Sequence, residues 1–184
     1  MKHSLRFVFL LLLLTGSFLP EQRLYSQLLK TQEEALKEVF ADADTVIRRT
    51  LFLDKEQVEY VEKKSRSKVE SRVVSYYVGL KDGKPFATAF FERQIVRSKP
   101  AIVMVVVNPD SSLRLMEPLA FYEPADYLLA ASWFHRFQNS RLSTELWPGK
   151  KIDAVSGATL SVRAFTLMAR RALAYFELIG AAQP

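Results

Sequence analysis

The stretch with the best chemical prospects runs Asp153-Ala154-Val155-Ser156-Gly157-Ala158-Thr159-Leu160-Ser161. Ser156, Gly157 and Ala158 carry almost no side-chain bulk, so a ligand can approach the backbone closely, and Gly157 tolerates the left-handed conformation of a tight turn. An apolar helical pattern follows at once. A helix start offers unpaired N–H donors and the positive end of the helix dipole, which together favour a phosphate or another anion. Arg163, one turn in, would add charge to such a site. A plain helix cap has the same Ser/Thr pattern, and these residues alone leave both readings open.

Most other chemistries lack their parts. The 184-residue chain has no Cys, which excludes thiolate metal sites, iron–sulfur clusters and thiol redox chemistry. Its two histidines are His3 and His135, so a metal site would rest on carboxylates. His135 has no acid or nucleophile companion, which sets aside a Ser-His-Asp hydrolase. Lys and Arg number 26 against 20 Asp and Glu, a net charge of +6. Removing Lys2, Arg6, Arg23 and Glu21 with a 27-residue leader would leave +4, and the signs are mixed along the chain, which argues against nucleic acid as a partner. The densest basic run, Lys63, Lys64, Arg66 and Lys68, is bracketed by Glu62 and Glu70 and reads as a solvated face.

The leader is legible by itself. Lys2 and Arg6 precede the apolar run Phe7 to Leu14, which continues to Leu19 before Pro20, the pattern of an export signal. The run falls short of the ~20 apolar residues that span a bilayer comfortably. Residues 1–27 are therefore read as a signal peptide or N-terminal membrane anchor, and 28–184 as one domain. Without a twin arginine, export would proceed unfolded, so any cofactor would be acquired outside the cytoplasm.

Beyond the leader, 49% hydrophobic and 25% charged residues fit one globular domain. Residues 27–40 have the spacing of an amphipathic helix, and a second helix is predicted from Asp54, whose carboxylate can cap it. Val74, Tyr76, Val78 and Leu80 alternate as a strand; Asp82-Gly83 makes a turn; Phe86 to Phe91 returns as its partner. Ala101 to Val107 reads as a central buried strand, followed by a turn at Asn108-Pro109-Asp110 and a strand over Leu113 to Leu119. A helix is predicted from Pro124 through Phe137, and the last from Leu160 to Ile179. On that last helix Phe165, Met168, Ala169, Ala172, Phe176 and Ile179 form the core stripe, while Arg163, Arg170 and Glu177 face away. The fold expected is a single α+β domain, a mainly antiparallel sheet with its helices in one layer.

The segment from Asp153 to Ser161, with its apolar helix, resembles the flavinylation motif of the periplasmic FMN-binding domain family, found in sodium-pumping NADH:quinone reductase, in Rnf complexes and in stand-alone exported carriers. Glu123-Pro124, Trp133, Phe137 and Leu142 resemble the segment leading to that motif, but the glycine-rich loop of the pump subunits is missing, so the stand-alone carriers are the better comparison. The resemblance implies FMN as cofactor, joined through its phosphate to Thr159 by a flavin transferase. It implies that Ser156, Gly157 and Ala158 shape the phosphate turn, that Asp153 serves recognition or metal-assisted activation by the transferase, and that Asp153, Ser161 and Glu123 are among the cofactor-binding residues. Tyr122, Trp133 and Trp147 are candidates to stack on the flavin ring, and Glu123 either orients the flavin edge or caps the helix after Pro124. The function implied is electron transfer outside the cytoplasm between an upstream donor and a downstream acceptor, within a membrane redox complex or apart from one, as a carrier or oxidoreductase component rather than a stand-alone enzyme. The competing expectation is a non-redox exported binding or scaffold module in which the Ser-Gly-Ala-Thr turn is only a cap.

Overall fold

The computed structural model describes residues 27–181, and the leader expected over residues 1–27 lies outside them except for Gln27. Strands β1 (Gln27–Leu28), β2 (Thr45–Phe52), β3 (Val73–Lys81), β4 (Lys84–Ile95), β5 (Pro100–Val107) and β6 (Leu113–Phe121) form one antiparallel sheet in the order β1-β6-β5-β4-β3-β2. Helices α1 (Gln32–Val39), α2 (Lys55–Ser65), α3 (Ala131–Phe134) and α4 (Thr159–Ala181) flank it, with 3-10 turns at Ala125–Tyr127 and His135–Phe137. The α+β class is as expected. No helix among the described residues is long and apolar enough to cross a membrane.

The central strand explains its own composition. Along β5, Val103, Val105 and Val107 enter the cluster that contains α4, whereas Met104 and Val106 enter the one that contains α1. A strand covered on both faces has no reason to alternate in polarity. The one-layer expectation is thus corrected: α1 covers one face of the sheet, while α2, α3 and α4 lie against the other. Asp82 and Gly83, both at positive φ (51° and 71°), close the β3–β4 hairpin as the Asp-Gly pair predicts.

Several local expectations shift. The helix expected over 27–40 starts only at Gln32, because Thr31 and Glu34 form a capping box. Ahead of it, Leu29 and Lys30 donate their amides to the Leu119 carbonyl. Strand β2 went unanticipated. It is an edge strand exposed along most of both faces, so its residues show no apolar period. Asp54 does cap α2, in a second capping box with Gln57.

The helix expected from Pro124 through Phe137 is broken. Leu128 (ψ 130°) and Ala130 (ψ 146°) are extended, and the Tyr127 carbonyl accepts from the Ser161 hydroxyl at 2.6 Å. The break sends Leu129, Trp133, Phe134 and Phe137 into the core together.

Arg170 also departs from expectation. It is buried rather than outward, donating to the carbonyls of Lys64 and Ser65 at the end of α2 and to those of Ser143 and Leu146. A cation on the last carbonyls of a helix suits its dipole. Arg171, next to it, forms a buried ion pair with Glu92 of β4 at 2.5 Å. Burial pushes the Glu92 carboxyl upward, and Arg171 works against that shift.

Candidate cofactor site

The motif folds as a turn feeding directly into a helix. The Ala158 amide donates to the Val155 carbonyl at 3.1 Å, closing a β-turn in which Gly157 adopts φ 80°. That region favours Gly at the third position of such a turn. The Val162 amide donates to the Ala158 carbonyl at 3.0 Å, which makes Ala158 the residue that caps α4. Alanine has no side-chain acceptor. The first-turn amides of Thr159, Leu160 and Ser161, which have no carbonyl a turn earlier inside the helix, are therefore not served by the capping side chain.

The hydroxyls of the motif have different situations. Thr159 is the first helical residue and is exposed, as are Ser156 and Gly157. Ser161 is buried, and its hydroxyl is committed to the Tyr127 carbonyl, so it fastens the helix start to the 3-10 turn. Asp153 is exposed at 63% and accepts from Arg136 Nε at 2.6 Å, while its carbonyl accepts from the Trp133 indole at 3.1 Å. These two contacts fix the path by which the loop reaches the turn.

Across from the helix start lies the β4–β5 turn. Val96 donates to the Lys99 carbonyl at 3.0 Å, and the turn is pinned from below by Glu123, whose Oε1 accepts the amides of Arg97, Ser98 and Lys99 at 3.1, 2.5 and 2.7 Å. Burial is the largest single influence on the Glu123 carboxyl and would raise it. The three amides and the Ser98 hydroxyl together outweigh it, holding the group below the ordinary carboxylate range. Glu123 does not cap the segment after Pro124, which has no side-chain cap. The expectation of a cap there is corrected.

Val96, Arg97, Glu123, Tyr127 and residues 157–161 line a cleft of about 160 Å³. This is below the roughly 300–1,000 Å³ of pockets that enclose whole drug-sized ligands. It has room for a group of phosphate size. A larger cavity of about 520 Å³, lined by Glu92 and Arg171, shares no residue with the cleft.

The sequence of residues 97–174 matches the family model of the FMN-binding domain. These residues form an FMN-binding domain. No curated protein matches the chain. The match begins at Arg97, inside the Glu123-pinned turn, and ends within α4, so every residue of the cleft lining except Val96 falls inside it. The cradle fits FMN: a small-residue turn, an uncapped first turn of a long helix, and open space where a Cβ would stand at Gly157.

The structure brings Glu123, Gly157, Ala158, Thr159 and Ser161 together in the cleft; Ser156 adjoins it in the turn, and Asp153 lies outside its lining. Of the ring candidates, Trp133 is buried among Phe134, Phe137 and Phe165, and Trp147 stands under the guanidinium groups of Arg66 and Arg170. Tyr122, half-buried, does not line the cleft. Arg163 is exposed and not part of it either. The cation in the lining is Arg97, which the sequence reading missed along with Tyr127. Residues 96–99 turn β4 into β5, and only the sheet topology carries that turn to the start of α4.

Proposed function

We propose that the protein is an exported electron carrier whose FMN is attached through its phosphate to the Thr159 hydroxyl by a flavin transferase. The observation that carries this reading is the uncapped helix start. Ala158 stands where a capping Ser or Thr would be, and the hydroxyl one residue later, on Thr159, is exposed. A turn serving only as a helix cap would place its oxygen at position 158, which speaks against the competing scaffold-module reading.

FMN, when bound, supplies one- and two-electron transfer. The chain's residues do the rest. The amides of Thr159, Leu160 and Ser161 would hold phosphate oxygens, the Ser161–Tyr127 bond holds that turn in place, and Gly157 would let the phosphate approach closely. In the attachment step the Thr159 oxygen forms a bond to phosphorus, its proton departs, and the bond from phosphorus to the leaving group of an activated flavin nucleotide breaks. Exposure of Thr159 suits access by the transferase, and so does the exposure of Asp153. The leader pattern at residues 1–19 supports a location outside the cytoplasm, where a covalent link prevents loss of a cofactor that cannot be replaced. An upstream donor and a downstream acceptor, in a membrane redox complex or apart from one, complete the reading.

Coexpression with an exported flavin transferase tests it. Wild type and Thr159→Ser should retain flavin fluorescence on a denaturing gel, and Thr159→Ala should lose it. Covalent fluorescence persisting in Thr159→Ala would refute the assignment.

A further inference from the structure

We infer that Arg97 is the side chain that recognises the FMN phosphate, held in place as part of a preformed anion receptor opposite the helix start. The inference rests on the cleft being the FMN site and is independent of covalent attachment. Three observations carry it.

Arg97 is positioned at both its ends. Its amide is fixed by Glu123 at 3.1 Å, its guanidinium carbon stands 5.7 Å from the Tyr127 ring centroid, and Nη1 donates to the Tyr127 hydroxyl at 3.2 Å. Tyr127 is in turn tied to α4 through its carbonyl and Ser161. A guanidinium carries five N–H donors in a rigid fork, and the Tyr127 bond uses one. The remaining donors can still make the paired contact with phosphate oxygens that a guanidinium favours.

The charge inventory of the cleft also requires a cation. Its lining contains one carboxylate, Glu123, on the wall facing the helix start, and a phosphate would be repelled by it. That carboxylate accepts the three turn amides through Oε1, and Arg97 is the cation in the same lining.

Finally, the size of the cleft favours phosphate over the ring as the group recognised there. At about 160 Å³, it has room for a group of phosphate size, so a side chain in its lining meets the phosphate end first.

The test uses the full chain made without a flavin transferase, titrated with FMN and separately with riboflavin, which lacks the phosphate, while flavin fluorescence is followed. Arg97→Gln should weaken FMN binding roughly tenfold, flatten its dependence on salt, and leave riboflavin within about twofold of wild type. Arg163→Gln should change neither. Should Arg97→Gln fail to fold, Arg97→Lys carries the same criterion, with a smaller loss confined to FMN because the charge survives without the fork. Unchanged FMN affinity, an equal loss for riboflavin, or no FMN binding by the unmodified chain would overturn the inference. None of these results depends on whether Thr159 carries the covalent bond, so the two readings fail separately.

Discussion

Replacing Glu123 by Gln probes how the outer wall of the cleft is held. One carboxylate oxygen takes three main-chain amides of the β4–β5 turn. A hydrogen bond to an ionised acceptor contributes about 1.5–3 kcal/mol, against about 0.5–1.5 kcal/mol for a neutral one. A Gln carbonyl has the same reach and keeps the bonds without the charge, which removes roughly 1 kcal/mol per bond. Because the three bonds share a single oxygen, the expected loss is about 2 kcal/mol rather than the full sum, which lowers Tm by roughly 4–8 °C in a domain of this size. The effect has a definite pH signature. The folded carboxyl lies below its ordinary value of 4.5, so its contribution is complete above that value and is lost as pH falls through the lower folded one. Urea unfolding of wild type and Glu123→Gln should show a constant gap from neutral pH down to about pH 5, closing below it. A gap under about 0.5 kcal/mol at pH 7, or one that widens on acidification, would refute the assignment of Glu123 as the clamp of this turn.

Two further substitutions test the cradle and the core behind it. Gly157→Ala places a Cβ on a backbone at φ 80°, which should cost about 1–2 kcal/mol and reduce flavin loading in parallel, read by urea midpoints and by absorbance of the purified protein. Glu92→Gln strands the buried Arg171 and should destabilise by about 3–5 kcal/mol, whereas Glu92→Met combined with Arg171→Met should recover most of that loss in a double-mutant cycle.

Where a single local signal determined the structure, the sequence was readable. The Asp-Gly hairpin, the Asp54 cap, the all-apolar β5 and the stripe on α4 each depend on neighbours within a few residues. Misreadings occurred where a distant partner decided. Arg170 looked like a surface residue of α4 until the end of α2 supplied carbonyls for it, a contact across about a hundred residues of chain. The segment 124–137 has apolar spacing compatible with one helix, yet the Ser161 hydroxyl, 34 residues further along the chain, donates to the Tyr127 carbonyl. Strand β2 failed for a different reason: an edge strand exposed on both faces leaves no polarity pattern to read. The site divides in the same way. Thr159 and its small neighbours are contiguous and were visible as a motif, whereas Arg97 and Tyr127 join them only through the fold. Glu123 was noticed beside Pro124, but its partners were not, because they sit on a different hairpin.

Helix α4 gives the cradle a mechanical character. Its first turn faces the cleft, while nearly every residue from Ala164 to Tyr175 is buried against the sheet and α2. At about 1.5 Å per residue, its 23 residues make a rod of roughly 35 Å, clamped along most of its length. An anion seated at the tip is therefore held by a beam rather than by a loop. The donors at that tip cannot be displaced far without shifting the packed turns behind them, so they stay aimed whether or not a ligand is present.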